Sequence, residues 1–177
     1  MELTIIKTDH PHYAFVENLY LSAFPENERR PVDAQRRNVD TNPLFRCYLL
    51  TGDGGRPIGF ITLWCPDGFY YAEHFAIDPS LRNGGWGSRV VRQLLRELEL
   101  PVVLEAEVPA DDLSRRRIAF YERQGFRIWD KDYVQPPYRP GGESLPLYLM
   151  VANETHGLPA VDSVRRIIYR HVYGVEE

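Results

Sequence analysis

Apolar positions along the chain repeat with two different periods, and the changes from one to the other mark the elements. Leu3–Ile6 is a short strand candidate, and Phe15, Val16, Leu19, Tyr20 and Phe24 then recur at helical spacing, which predicts a helix over Tyr13–Phe24. Pro25–Pro43 is polar and charged, and its prolines, with Pro31 in the middle, leave room only for a short helix around Asp33–Val39. This stretch is expected to cross the surface. Three strand-like runs follow, Phe45–Leu50, Ile58–Trp64 and Phe69–Ile77, separated by Gly52-Asp53-Gly54-Gly55 and Pro66-Asp67-Gly68, which are hairpin turn signals. The expected result is an antiparallel meander.

After Asp78-Pro79 the period lengthens. Val90, Val91, Leu94, Leu95 and Leu98 form one stripe of a helix from about Gly85 to Leu98, and Pro101 stops it. Val102–Val108 reads as a strand, and Asp111–Gln124 as a helix closed by Gly125. Phe126–Tyr133 and Leu147–Ala152 are the last strand candidates, joined by a loop holding Pro136, Pro137, Pro140, Gly141 and Gly142. Val164, Ile167, Ile168 and Val172 then make an amphipathic helix whose other face carries Arg165, Arg166 and Arg170. These elements sum to a mixed α+β domain with a mostly antiparallel sheet and one parallel pair around a helix.

Composition narrows the classes. A net charge of -4 made of interspersed signs offers no basic field for nucleic acid. No apolar run approaches the roughly 20 residues that span a bilayer, and Met1-Glu2-Leu3 does not begin a basic and then apolar leader, so a cytosolic location is expected. Cys47 and Cys65 lie in apolar runs without Cys-x-x-Cys spacing or a nearby histidine, which reads as buried structural thiols and no metal site. His10, His12, His156 and His171 lie near the termini or beyond the core elements and read as solvated or structural.

The chemistry concentrates between Phe75 and Ser88. Phe75, Ala76 and Ile77 end a buried strand, and Arg82-Asn83-Gly84-Gly85-Trp86-Gly87-Ser88 turns from it into a helix start. Such a turn presents backbone N–H groups together, the helix dipole favours an anion, and the absent Cβ atoms admit phosphate oxygens. Arg82 adds a charged contact. A tight structural turn is the equally open alternative. Arg82-x-x-Gly85-x-Gly87 resembles the pyrophosphate motif of the GNAT superfamily of N-acetyltransferases, and Tyr121-Glu122-Arg123-Gln124-Gly125-Phe126 is similar to that family's second signature, a helix ending in Tyr-x-x-x-Gly-Phe. Neither Gly-x-Gly-x-x-Gly nor a Gly-Lys-Ser/Thr phosphate loop occurs.

The resemblance covers about Leu3 to Ala152 and implies a GNAT-like fold, a mostly antiparallel sheet of about seven strands flanked by helices, here with an extra C-terminal helix. It implies acetyl-CoA as acyl donor, bound by Phe75, Ala76, Ile77, Arg82 through Ser88 and Tyr121. The family often has Asn where this chain has Ser114, which is expected to substitute as a hydrogen-bonding group. It also implies direct attack of an amine, either a small molecule or a protein amino group, on a thioester lying between the splayed strands Phe69–Ile77 and Val102–Val108. An alkyl ammonium of pKa near 10.4 must first lose a proton. Glu73 is the first choice of base, with Glu105 and Glu107 as competitors, and strand alternation would let only one of Glu73 and His74 face the cleft. Tyr121 suits the leaving thiolate as a protonated phenol.

The acceptor is expected between Pro25–Pro43 and Gln135–Pro140, with Glu73, Glu105, Glu107, Asp111 and Asp112 favouring a cation. The division is residues 1–153 as the acyltransferase domain and 154–177 as a helical extension, covered by its own domain or by a second copy, with a homodimer preferred. A catalytically silent acyl-CoA-binding module and an interaction protein are the alternatives on the same fold.

Overall fold

The predicted meander is present and longer by one strand. In the computed structural model, which describes residues 1–176 apart from the side chain of His156, β1 (Glu2–Ile6), β2 (Phe45–Thr51), β3 (Pro57–Trp64) and β4 (Tyr70–Ile77) pair antiparallel in sequence order. The reading of His156 therefore lies outside the described residues. α1 (Tyr13–Ala23) and α2 (Val32–Thr41) connect β1 to β2. Beyond β4 come α3 (Trp86–Glu97), β5 (Val102–Glu107), α4 (Asp112–Arg123), β6 (Arg127–Gln135), β7 (Leu145–Ala152) and α5 (Val161–Ile168), which continues as one wide π-helical turn over Tyr169–Tyr173. The sheet order is β1-β2-β3-β4-β5-β7-β6, antiparallel except for β4 against β5.

Both faces of this sheet are covered, which is why β2 and β3 are apolar almost throughout. On one face α1, α2 and α5 bury Tyr13, Val16, Leu19, Tyr20, Val39, Val164 and Ile168. On the other, α3 and α4 bury Val90, Val91, Leu94 and Ile118. The C-terminal stripe Val164, Ile168 and Val172 thus packs on its own domain, with Val164 and Ile168 at most 1% exposed. A second copy is not needed to cover it, and the expectation of a homodimer loses the exposed stripe on which it stood.

Two other expectations are corrected. The segment Pro25–Pro43 does not only cross the surface: Arg30 and Gln35 are buried, because Arg30 finds a carboxylate inside. The alternation argument also fails at Glu73 and His74. Thr62 of β3 pairs with His74 and Leu63 pairs with Ala72, so Glu73 is an extra, unpaired residue of β4. This bulge puts the two neighbouring side chains on the same cavity.

The parallel pairing of β4 and β5 covers only Tyr70–Ala72 against Val102–Leu104. Both strands continue, β4 along β3 and β5 along β7, but no longer pair with each other, and the sheet opens where Glu73 and Glu105 stand.

Candidate active site

Two hollows meet at this opening. The smaller, about 40 Å³, lies between the separating strands and is lined by Ala72, Glu73, Phe75, Leu104, Glu105 and Tyr121. The larger, about 360 Å³, is bounded by Phe24, Glu28, His74, Glu107, Gln135 and Tyr138, and again by Glu73 and Glu105. Glu28 comes from the first expected acceptor segment, and Gln135 and Tyr138 from the second. Asp111 and Asp112 do not line it: Asp111 caps α4 and Asp112 pairs with Arg115 at 2.7 Å.

The two central carboxylates have opposite surroundings. Glu73 is fully buried and gripped by both terminal nitrogens of Arg30, with Nη1 donating to Oε2 at 2.9 Å and Nη2 to Oε1. Trp64 Nε1 donates to Oε2 and the Tyr138 hydroxyl to Oε1, each at 2.9 Å. Burial alone would raise its pKa, but the Arg30 charge and its hydrogen bonds hold the Glu73 carboxyl far below the usual range. Such a carboxylate is a weak proton acceptor. Phe45, Trp64 and Tyr138 also face the Arg30 guanidinium at 5.2 to 5.8 Å.

His74 stands beside this pair. Its Nε2 is 3.1 Å from the Glu28 carbonyl, which can only accept, so Nε2 carries the hydrogen. Nδ1 is buried with no hydrogen-bond partner among the described residues, 3.5 Å from Glu73 Oε2.

Among the described residues no cation pairs with Glu105. The Tyr133 hydroxyl donates to Oε1, and the Tyr173 hydroxyl reaches Oε1 at 3.0 Å and Oε2 at 2.9 Å. Burial pushes its carboxyl up to about 7, outweighing the hydroxyl donors, and the Glu73 charge adds to the rise. Burial also raises Tyr133 and Tyr173 well above an ordinary phenol, so both stay protonated and donate. Glu28 is raised as well, by burial and then by Glu107, although Glu107 itself pairs with Arg117 at 2.7 Å.

Below the opening, Gly85 precedes α3 with φ 76°, a left-handed conformation that favours glycine. No side chain among the described residues caps that helix start, and Arg82, Asn83, Gly84 and Gly85 are exposed. The first backbone N–H groups of α3 are thus available to an anion. Arg82 Nε rests on the Ile77 carbonyl at 3.3 Å, and its guanidinium is in none of the ion pairs among the described residues. Trp86 turns its ring away to pack beside Gly52 and Ile58, and Ser88 Oγ accepts from Gln124 at 3.3 Å. Ser114 is buried in a capping box, its N–H donating to Asp111 Oδ1 at 2.7 Å and its hydroxyl accepting from the Asp111 N–H at 3.1 Å. The asparagine substitution expected of it conflicts with that engagement. Tyr121 packs between Phe120 and Phe126, and its hydroxyl has no hydrogen-bond partner among the described residues.

A family model described as an acetyltransferase (GNAT) domain matches residues 43–128. A solved GNAT-family acetyltransferase structure from Bacteroides thetaiotaomicron is 43% identical, with a TM-score of 0.93, and the match covers 99% of this chain and 100% of that one. This chain belongs to the GNAT family of acetyltransferases. At the level of fold alone it is similar to an aminoglycoside 6'-N-acetyltransferase solved with coenzyme A, at 20% identity and TM-score 0.59, over 85% of this chain and 96% of that one. It is likewise similar to spermidine N-acetyltransferase from Vibrio cholerae in complex with CoA and spermine, at 15% identity and TM-score 0.63, over 84% and 94%. A search of curated proteins finds no match.

Within this GNAT domain, the partners of the two carboxylates are the residues that sequence reasoning missed. Arg30 reads as one of several charges in a polar stretch, and Trp64, Tyr133 and Tyr173 read as strand or helix aromatics. A signal was present in the unusual supply of tyrosines, 11 in all, since a buried tyrosine needs a partner for its hydroxyl.

Proposed function

We propose that this GNAT protein transfers the acetyl group of acetyl-CoA to a cationic primary amine, with Glu105 as general base and Tyr121 as general acid. The observation that carries the reading is Glu105 itself: it borders both hollows, with its carboxyl raised to about 7. A base poised near neutral pH suits proton removal from an amine of pKa near 10.4 at useful rates. Glu73, the first choice from sequence, is better suited to fixing Arg30 and Tyr138 in the cavity wall.

The residues fit the donor. Free N–H groups at the start of α3 and the Arg82 guanidinium would hold the diphosphate, and the gap between β4 and β5 would take the pantetheine arm. Phe75, Ala76 and Ile77 would offer the edge of β4. The ammonium enters the larger hollow, where burial raises the carboxyls of Glu28 and Glu105. It gives one proton to Glu105, and the neutral nitrogen attacks the thioester carbon. The N–C bond forms, the C–S bond breaks, and the departing sulfur takes the Tyr121 proton, while the second proton shed by the acylated nitrogen returns through water to the Tyr121 oxygen.

Release of CoA from acetyl-CoA, read as free thiol with a panel of aminoglycosides, polyamines, simple alkylamines and peptide N-termini, tests the reading. Turnover with a cationic amine and none with neutral alcohols is expected. Thermal stabilisation by acetyl-CoA without CoA release for any amine would make the protein a silent acyl-CoA-binding module. Absence of both would remove the donor assignment.

A further inference from the structure

The C-terminal segment does more than cover one face of the sheet. Its last turn, Tyr169–Tyr173, is π-helical, and Gly174 at φ 69° closes it with the Val175 N–H donating to the Tyr169 carbonyl at 3.0 Å. In an α-helix, positions four apart share a face. Tyr169 and Tyr173, four apart in this π-turn of a kind frequent at functional sites, nonetheless take different partners. The Tyr169 hydroxyl donates to the Val134 carbonyl, whereas the Tyr173 hydroxyl enters the site and lies within 3.0 Å of both Glu105 oxygens. The placement is fixed from several sides. The Tyr173 ring packs on Tyr138 with centroids 5.0 Å apart, its hydroxyl is 3.3 Å from that of Tyr71, and Arg30 Nη2 donates to the Val172 carbonyl at 3.4 Å.

We propose that Tyr173 is a positioning residue, which aims the Glu105 carboxylate into the acceptor cavity and favours its ionised form. The inference rests on the reading of Glu105 as base. The groups facing Glu105 are Tyr133 from β6, Tyr71 and Glu73 from β4, Tyr138 from the loop before β7 and Tyr173, with Tyr121 in the same gap. Among them the hydroxyl donors favour the charged carboxylate and Glu73 opposes it. Removing the Tyr173 hydroxyl therefore makes Glu105 harder to ionise.

The test compares pH profiles of kcat/KM for wild type, Tyr173→Phe and Glu105→Gln, with the most active amine of the panel. Wild type should show an acid limb near 7, where Glu105 ionises. Glu105→Gln should abolish that limb. Tyr173→Phe should move it up by about one pH unit, roughly a tenfold loss below the limb, with recovery above it and an unchanged KM for acetyl-CoA. A limb that is lost in Glu105→Gln but unmoved in Tyr173→Phe would overturn the role of Tyr173 and leave the base in place. A loss of equal factor at every pH in Tyr173→Phe would also overturn it, leaving a packing role. Wild-type rate and limb in Glu105→Gln would overturn the base and the inference together. Should Tyr173→Phe fail to fold, 3-fluorotyrosine at position 173 reverses the sign: its more acidic hydroxyl is a stronger donor, and an acid limb that does not move down refutes the proposal.

Discussion

Replacing Glu73 with glutamine tests whether the Glu73–Arg30 pair is structure or chemistry. The substitution keeps the shape and leaves one side-chain oxygen for Trp64 Nε1 or the Tyr138 hydroxyl, but it removes the one carboxylate that, among the described residues, pairs with a guanidinium whose side chain is 5% exposed. Breaking a buried pair from one side costs about 3–5 kcal/mol, because the remaining charge is stranded. At about 2–4 °C per kcal/mol for a chain of this size, Tm should fall by roughly 6–20 °C. Scanning calorimetry measures it directly. The double variant Arg30→Met, Glu73→Leu should recover most of the loss, since no buried charge is then unpaired. The pH dependence has a definite sign. A carboxyl whose pKa is lowered by folding contributes stability above its unfolded pKa, and loses it as pH falls through the folded value. Because the folded value lies far below the usual range, the gap between wild type and Glu73→Gln should hold from pH 8 down to about 5. A variant with unchanged Tm and lost turnover would refute this reasoning and return Glu73 to the role of base.

Tyr121→Phe removes one oxygen and keeps the ring between Phe120 and Phe126, so turnover should fall by roughly 10²-fold to 10⁴-fold while acetyl-CoA affinity, read by calorimetric titration, holds. Lost stability with full turnover would make it a packing residue. Gly85→Val places a β-branched residue at φ 76° and a side chain over the free N–H groups, and should abolish the rise in Tm that acetyl-CoA gives wild type, about 2.7 kcal/mol at a hundredfold excess over Kd. Ile168→Ala, at 1% exposure, should cost about 2–5 kcal/mol in chemical denaturation whatever the protein concentration, whereas a dependence on concentration would point to a second copy over this helix.

What was legible in the sequence is what local pattern dictates. Strand and helix periods placed the seven strands and five α-helices of the described residues within a few residues, and Gly84-Gly85 before an apolar stripe marked the start of α3. The bulge was not legible. It follows from the β3 and β4 registers failing to match by one residue, which no property of Glu73 or His74 announces. The same holds for Arg30. A charge in a proline-flanked polar stretch is ordinarily solvated, and only the carboxylate brought to it by β4, 43 positions along the chain, makes its burial tolerable.

The division of labour between Glu73 and Glu105 follows from these distant partners. Both are glutamates where β4 and β5 part from each other, and sequence ranks Glu73 first because it leads into the glycine turn. Their identical chemistry is separated by what folds against each: a guanidinium from before α2 on one, tyrosine hydroxyls from β6 and the C-terminal turn on the other. Fixed counter-charge holds the first far below the usual carboxylate range, while burial, only partly offset by neutral donors, raises the second to about 7. The C-terminal turn reaches the same opening: without Tyr173, Glu105 would keep its burial and the repulsion from Glu73 but lose the donor that spans both its oxygens.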